Sequence, residues 1–125
     1  MTLFTLAELE AAADLVHTQV PPTPQFAWPL LQQRTGVEVW VKHENHTPTG
    51  AFKVRGGLVF AERLRREGAA TAGLIAATRG NHGQSVAYAA RELGLSATIV
   101  VPEGNSLVVL EFAHDCSRVV CVPGE

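Results

Sequence analysis

The chain has 125 residues, of which 46% are hydrophobic and 18% are charged, and its formal net charge is −2. This length and composition fit one small globular domain with a core of its own. The ten lysines and arginines are scattered, apart from a short cluster at 63–66, which argues against a protein that binds nucleic acid or an anionic membrane.

The sequence carries no predicted membrane span, because no apolar run reaches the length needed to cross a bilayer. The first ten residues contain two glutamates and no basic residue, so no signal peptide is expected. Cys116 and Cys121 have neither the number nor the spacing of a disulfide framework or a zinc site. His43 and His46 lack a third metal ligand nearby. We therefore expect a reduced, cytoplasmic protein without a metal.

The first predicted element is an amphipathic helix over residues 5–17. Thr5 and Glu8 have the spacing of a capping box, and apolar residues follow at helical intervals. The prolines within 21–24 end this helix, since proline removes a helical N–H. A short helical or irregular segment follows, from residue 30 to the glycine at 36.

Strands then alternate with helices along the chain. The predicted elements are a strand over 37–42, a helix from about 52 to the glycine at 68, a buried strand over 72–77, a helix over 84–93 and a buried strand over 97–101. This order predicts an α/β fold in which helices flank a parallel sheet. Ligand sites in such sheets lie at the carboxyl ends of strands, so the polar loops 43–51 and 78–83 form the expected site.

Lys53 lies where the first of these loops becomes a helix. The positive end of a helix disfavours an ammonium, and Phe52 beside it offers partial burial. Both conditions favour an amine that acts as a nucleophile and forms a Schiff base. The alternative is a solvated lysine in the first turn of a helix. Glu44 is expected to be a structural partner of the loop or of Arg55 rather than a general base.

The second loop carries polar side chains between Gly80 and Gly83. Glycines permit close approach of a ligand to the backbone, and the start of the following helix offers unpaired N–H groups to an anion. Taken alone, this pattern is as typical of a structural turn as of a binding loop. Together with a lysine at a neighbouring strand end, it predicts an anionic ligand held between the two loops.

Three separated segments resemble the fold-type-II pyridoxal-phosphate enzymes, and among these the threonine and serine dehydratases. The segments are Lys42-x-Glu44, Pro48-Thr-Gly-Ala-Phe-Lys-Val-Arg-Gly56 and Gly80-Asn-His-Gly-Gln84. A threonine–proline pair often found early in those chains is matched at 22–24. The resemblance covers residues 22 to about 106 and implies the tryptophan-synthase-β-like fold, with pyridoxal 5'-phosphate as the cofactor.

The resemblance also implies a role for each matching residue. Lys53 would hold the cofactor as a Schiff base and move the α-proton, Phe52 would lie against the pyridine ring, and Asn81 would hydrogen-bond the ring hydroxyl oxygen. The residues that would bind the substrate carboxylate are Thr78, Arg79, Gly80, Asn81 and His82. The implied reaction converts a hydroxy amino acid (threonine, serine or hydroxyaspartate) into a 2-oxo acid and ammonia. The full-length form is expected to be a homo-oligomer.

Four positions refine the expected activity. Val54 after the lysine and the segment 80–84 favour a dehydratase over the cysteine and threonine synthases. Ala51 stands where the family commonly has serine. Arg79 stands where serine racemases keep the serine that acts as an acid/base, and a guanidinium cannot be deprotonated for that task. Racemase activity is therefore not expected, and Arg79 suggests instead a pairing with an extra substrate carboxylate, as in hydroxyaspartate.

The chain is expected to divide into three parts. Residues 1–50 correspond to a segment that normally belongs to the large domain, residues 51–106 to the core of the small α/β domain, and residues 107–125 to a tail that departs from the family pattern. The glycine-rich phosphate cup of the family is not matched within this length. We therefore expect a truncated dehydratase with an incomplete fold, and the sequence leaves open whether this length of chain turns over a substrate. The alternative is a non-catalytic remnant or interaction module that keeps the small-domain fold.

Overall fold

The computed structural model describes residues 3–69, 73–104 and 118–123. Its α-helices are α1 (Leu6–His17), α2 (Pro29–Thr35), α3 (Lys53–Arg66) and α4 (Asn81–Glu92). Its strands are β1 (Gln25–Ala27), β2 (Trp40–Lys42), β3 (Leu74–Ala77), β4 (Ala97–Pro102) and β5 (Arg118–Val122). A short 3-10 helix, Glu44–His46, follows β2.

α1 and α2 begin or end at residues that favour helix termini. The Glu8 amide donates a hydrogen bond of 3.2 Å to Thr5 Oγ1, and the Thr5 amide donates one of 2.7 Å to Glu8 Oε2. This reciprocal pair is the predicted capping box. α2 begins with Pro29, whose missing N–H is not needed in a first turn, and ends at Gly36 with a φ of 74°. The predicted helix over 5–17 and the short helical segment after it are confirmed.

β1 and β2 pair with each other in a separate antiparallel sheet. The prediction of one long strand over 37–42 within the parallel sheet is therefore wrong, since β2 covers only 40–42 and its neighbour is β1. Pro24 and Pro29 lie on either side of β1, and proline lacks the N–H that would extend a ladder. They limit the length of β1 and therefore the length over which β2 can pair with it. The loop 43–51 consequently does not follow a strand of the parallel sheet.

β3, β4 and β5 form the parallel sheet, with β4 in the middle. α4 is the crossover between β3 and β4, and every second residue of β4 is buried. The predicted parallel sheet with flanking helices is confirmed. The predicted start of β3 at residue 72 lies outside the described residues, as does most of the tail 107–125, in which β5 was not predicted. The division into 1–50, 51–106 and 107–125 stays a prediction.

The core lies where α3 and α4 pack against each other, against α1 and against the sheet. The larger cluster comprises Val16, Val20, Val54, Leu58, Ala61, Tyr88 and Ala89. A second cluster joins α4 to β4 and comprises Ala87, Ile99 and Val101. α3 and α4 approach closely at Gly57, where a Cβ would lie 2.2 Å from Ser85 Oγ and 3.0 Å from the Ser85 carbonyl oxygen. The contact between the helices therefore requires glycine at position 57.

Large apolar side chains remain exposed on several elements. They include Leu6 and Leu9 of α1, Trp40 of β2, Phe60 of α3 and Ile75 of β3. Where such side chains form a contiguous patch, that patch typically contacts a ligand or further protein. Within the described ranges, no helix has both the length and the apolar character to cross a bilayer.

Replacing Gly57 with alanine tests the contact between α3 and α4. We expect the free energy of unfolding to fall by about 1–3 kcal/mol, because the new methyl group would overlap atoms of Ser85 that include its backbone. Gly56→Ala is the matched control, since a Cβ there meets nothing within 4 Å. In a helix, alanine is more stable than glycine by about 0.5–1 kcal/mol. Urea unfolding of the two variants gives the difference, and equal stabilities would contradict the close contact.

Candidate functional site

Lys53 is the first residue of α3 and follows a tightly bonded turn. The Thr47 hydroxyl accepts a hydrogen bond of 2.9 Å from the Ala51 amide and donates one of 2.9 Å to the Ala51 carbonyl oxygen. The Thr49 hydroxyl donates another to that oxygen at 3.3 Å. Gly50 supplies the positive φ of 64° that the turn needs. The turn therefore holds the main chain of Lys53 from its N-terminal side.

α4 holds Lys53 from the other side. The Ser85 hydroxyl donates a hydrogen bond of 2.6 Å to the Lys53 carbonyl oxygen, and Ser85 is only 1% exposed. The Lys53 side chain itself is exposed, and Phe52 is 64% exposed. The prediction that Phe52 partly buries the lysine is therefore wrong, because both side chains are exposed. The lysine has a fixed main chain and an accessible amine.

The Lys53 side chain lines a cleft of about 720 Å³ between α3, β3 and α4, which we call the lysine cleft. Its charged and aromatic lining comprises Lys42, Glu44, Phe52, Lys53, Arg55, Phe60 and His82. Apolar side chains of β3 and α4 complete the wall, among them Leu74, Ile75 and Val86. The cleft thus combines one apolar side with a small number of charged groups, as ligand sites commonly do.

Lys42 and Lys53 are the two lysines of the sequence, and both line this cleft. Lys42 Nζ donates a hydrogen bond of 3.3 Å to the Thr23 carbonyl oxygen and lies 3.7 Å from Glu44 Oε1. Lys53 Nζ has neither a hydrogen bond nor an ion pair with any residue that the structure describes. The amine that is available to a ligand is therefore that of Lys53.

Glu44 joins distant segments at the edge of the lysine cleft. Its carboxylate accepts two hydrogen bonds from Arg55, of 2.9 Å from Nε and 3.2 Å from Nη2. The Thr23 hydroxyl donates a third, of 2.6 Å. The Arg55 guanidinium is the main reason that the pKa of Glu44 lies below its usual range. The expectation that Glu44 is a structural partner of Arg55 is confirmed.

The second predicted loop is shorter than expected, because α4 begins at Asn81 rather than at residue 84. The Thr78 amide continues the pairing of β3 with β4 through a hydrogen bond of 2.9 Å to a β4 carbonyl. The Thr78 hydroxyl then accepts a hydrogen bond of 3.2 Å from the Gly80 amide, which turns the chain into the helix. Asn81 and His82 are weak helix formers, but the amides of a first turn need no helical partner.

The two glycines of this loop have different roles. Gly83 is buried, and a Cβ on it would lie 2.6 Å from Thr78 Cγ2 and 2.9 Å from Ile99 Cγ2. It serves the packing of α4 on the sheet, so the prediction that it admits a ligand to the backbone is wrong. A Cβ on Gly80 would meet nothing within 4 Å. The start of α4 is therefore open to a ligand at Gly80.

A second cleft, of about 400 Å³, lies at the carboxyl ends of β3, β4 and β5, and we call it the strand-end cleft. Its lining is Ala77, Thr78, Arg79, Val100, Val101, Pro102, Val122 and Pro123. The predicted substrate residues are thus divided. Thr78 and Arg79 line the strand-end cleft, whereas His82 lines the lysine cleft. Asn81 is exposed at the start of α4 and lines neither of these two clefts.

Ser85 and Lys42 have roles at this site that the sequence did not predict. The hydrogen bond from Ser85 to Lys53 depends on the close packing of α3 and α4 at Gly57. The sequence signal for this bond is a small residue on each helix, Gly57 on α3 and Ser85 on α4. It predicts a close contact only once the two helices are known to be neighbours. Lys42 belongs to a recognised motif, but its bond to Thr23 requires the fold of the segment before β1.

The lysine cleft fits a planar aromatic aldehyde such as pyridoxal phosphate. It offers a primary amine on Lys53, unpaired within the part of the chain that the structure describes, for a covalent bond. It also offers the rings of Phe52 and Phe60 for contact with an aromatic ligand. Within residues 3–69, 73–104 and 118–123, no group of three or more His, Cys, Asp or Glu side chains could hold a metal ion.

Comparison with known proteins gives a family match over most of the chain. The model of a family described as pyridoxal-phosphate dependent enzymes matches residues 16–114. The match reaches beyond residue 106, where the resemblance of the sequence was expected to fade.

Curated relatives include several dehydratases and ammonia-lyases. The human serine dehydratase-like protein is 42% identical over 101 residues, which are 81% of this chain and 29% of that protein. The biosynthetic L-threonine dehydratase of Corynebacterium glutamicum is 35% identical over 100 residues, 80% of this chain and 23% of the relative. The L-threo-3-hydroxyaspartate ammonia-lyase of Saccharomyces cerevisiae is 35% identical over 103 residues, 82% and 31% respectively. The chain thus spans 23–31% of the length of these relatives.

Solved structures share the fold. A pyridoxal 5'-phosphate-dependent aspartate racemase matches with a TM-score of 0.85 at 29% identity, over 98% of this chain and 39% of the racemase. A T.th. threonine deaminase matches with a TM-score of 0.81 at 33% identity, over 98% of this chain and 38% of the deaminase. The predicted fold class, tryptophan-synthase-β-like and incomplete over this length, is confirmed.

Glu44→Gln tests the ion pair with Arg55. At neutral pH we expect the free energy of unfolding to fall by about 1–3 kcal/mol, because Arg55 loses its anionic partner. The folded-state pKa of Glu44 is lowered, so the stability that its charge contributes is present above the unfolded-state pKa and is lost as pH falls through the folded-state pKa. The difference between wild type and variant should therefore close as the pH falls below about 4.

The control for this variant is Glu67→Gln, which removes the exposed partner of Arg63 at 2.8 Å. Exposed ion pairs contribute little, so its effect should be smaller and less dependent on pH. Urea unfolding at a series of pH values measures both variants. A Glu44→Gln effect no larger than that of the control would contradict the structural role of Glu44.

Proposed function

Because the chain belongs to the family of pyridoxal-phosphate-dependent enzymes, we propose that it carries the cofactor lysine of an ammonia-lyase that dehydrates a hydroxy amino acid. The observation behind this proposal is the Lys53 amine in the lysine cleft, which has no partner among the described residues and lies beside a second lysine whose amine is bound. The reaction class is supported by the relatives, whose names are those of threonine and serine dehydratases and a hydroxyaspartate ammonia-lyase.

Three residues would hold the cofactor. Bound pyridoxal phosphate supplies an electron sink for the negative charge that develops at the substrate α-carbon. Lys53 Nζ would bind it covalently, Phe52 would contact the face of the pyridine ring, and the Asn81 side chain would hydrogen-bond the ring hydroxyl oxygen. Phe52 lines the lysine cleft, and Asn81 begins the helix that Ser85 ties to Lys53.

The start of α4 would bind the α-carboxylate of the substrate, through the main-chain amides of Asn81 and His82. The amides of the first helical turn lack helical partners, and the positive end of the helix dipole favours an anion. The absence of a side chain at Gly80 leaves space there, since even a Cβ would meet nothing within 4 Å. This end of α4 follows the carboxyl end of β3, where ligands of parallel sheets bind.

Lys53 would have a second task, which is to accept the α-proton of the substrate on Nζ. The substrate loses its Cα–H and Cβ–O bonds, and the hydroxyl leaves as water while a Cα–Cβ double bond forms. Hydrolysis of the resulting enamine consumes one molecule of water and gives a 2-oxo acid and ammonia. One water is released and one is taken up, so the net reaction neither forms nor consumes water. The fixed main chain of Lys53, held by Ser85 on one side and by the turn at 47–51 on the other, would keep Nζ in position for this transfer.

A racemase is the second candidate, because an aspartate racemase is among the solved structures with this fold. Racemisation needs an acid/base on the face of the α-carbon opposite the lysine. A guanidinium keeps its protons, so Arg79 would not serve as that group. Chiral analysis of the substrate recovered during turnover separates the two candidates: ammonia release with retained configuration supports the lyase, and inversion without ammonia release supports the racemase.

Trapping of the cofactor tests the role of Lys53. Addition of pyridoxal phosphate should give a visible absorption band, and borohydride reduction should leave a stable adduct that peptide mass spectrometry locates on Lys53. Lys53→Ala should abolish the band and the adduct. Lys42→Ala is the matched control and should retain both, because the Lys42 amine is bound to Thr23 and lies near Glu44.

Two outcomes would count against this assignment. An adduct on Lys42, or a band that survives Lys53→Ala, would show that the wrong lysine has been named. The lack of any band at saturating cofactor would favour the alternative, a non-catalytic module that keeps the small-domain fold.

A further inference from the structure

Arg79 is an arginine without a partner, among the described residues, at the edge of a cleft. Five other arginines form ion pairs with carboxylates, and these are Arg55, Arg63, Arg65, Arg66 and Arg91. Arg79 is exposed, and it has no hydrogen bond or ion pair with the residues described by the structure. Arg34 and Arg118 are also unpaired within that part of the chain, but they line neither the lysine cleft nor the strand-end cleft.

Among the described residues, Arg79 is the one charged side chain that lines the strand-end cleft. Its other lining residues are alanine, threonine, valine and proline. A single guanidinium beside apolar walls attracts an anion more strongly than the same group in open water, because the local dielectric constant is lower. Its planar fork matches the two oxygens of a carboxylate. The chemistry of this cleft therefore suits an anion with two such oxygens, of which a carboxylate is one.

The α-carboxylate of a substrate does not need this arginine. The open start of α4 at Gly80 already offers amides and a favourable dipole to one carboxylate. Arg79 precedes that start, and its side chain lines a different cleft from the one that contains Lys53. The site thus presents two separate anion-binding elements, which is one more than the number of carboxylates in threonine or serine.

Resting on the proposed function, we propose that Arg79 binds the side-chain carboxylate of a dicarboxylic hydroxy amino acid, of which 3-hydroxyaspartate is the simplest. Threonine carries a methyl group on its β-carbon where hydroxyaspartate carries a carboxylate. A methyl group facing Arg79 would displace water from the guanidinium without replacing its hydrogen bonds. The side-chain carboxylate takes no part in the reaction: the α-proton and the β-hydroxyl leave as water, and hydrolysis gives a dicarboxylic 2-oxo acid and ammonia.

Substrate preference is the first test. Ammonia release from L-threo-3-hydroxyaspartate and from L-threonine gives kcat/KM for each, and the wild-type protein should prefer hydroxyaspartate. In Arg79→Ala the ratio of the two values should fall by about 10–100-fold, as expected for the loss of a charge-assisted pair. Arg79→Lys should retain part of the preference, since an ammonium keeps the charge but loses the fork. Arg34→Ala is the matched control and should leave the ratio unchanged.

A wild-type preference for threonine, or a ratio that Arg79→Ala leaves unchanged, would overturn the assignment of Arg79. Turnover of neither substrate would refute the proposed function, and a binding experiment then decides the role of Arg79 separately. NMR titration of the chain with malate and with 3-hydroxybutyrate compares ligands that differ by a carboxylate in place of a methyl group. Malate should bind at least about 10-fold more tightly, and Arg79→Ala should remove the difference. Equal binding of the two ligands to the wild-type chain would overturn the inference.

Discussion

The close contact between α3 and α4 is the constraint on which the site depends. Because Gly57 has no side chain, α4 comes near enough for the Ser85 hydroxyl to reach the Lys53 carbonyl oxygen at 2.6 Å. The lysine is thereby anchored through its main chain, and its side chain takes no part in the anchoring. A nucleophilic amine needs this combination of a fixed origin and an unengaged end. The same packing places His82, from the first turn of α4, along the wall of the lysine cleft.

A second constraint reaches the same helix from the N-terminal half of the chain. Arg55, two residues after Lys53, is held by Glu44, which also receives the hydroxyl of Thr23. Both charged side chains are about one-fifth exposed, at 22% and 19%, so removal of either would leave the other poorly solvated and unpaired. The first turn of α3 is therefore held from two directions. Ser85 of α4 binds the main chain of Lys53, and Glu44 binds the side chain of Arg55.

The sequence predicted the elements that repeat with a clear period. The helix over 5–17 is long enough to show its period. The strand over 97–101 was predicted instead from a short, mostly apolar run that ends at Pro102. The alternation of strands with helices predicted the parallel sheet. β1 was missed because three residues between prolines carry no periodic signal. The start of α4 was misplaced because Asn81, His82 and Gly83 are weak helix formers, and packing on the sheet overrides that preference.

The position of Lys53 at the start of a helix could be predicted because its motif is local, whereas its surroundings could not. Whether Phe52 covers Lys53, or whether Gly83 faces a ligand or the sheet, depends on which elements become neighbours. The separation of Thr78 and Arg79 from the lysine cleft has the same origin, since it depends on where β5 closes the sheet. We propose that Lys53, and not Lys42, is the amine of the lysine cleft that binds the cofactor. A crystal structure of the chain with pyridoxal phosphate tests this assignment. Continuous electron density is expected from Lys53 Nζ into the lysine cleft, whereas density joined to Lys42, or a cofactor bound outside this cleft, would overturn the assignment.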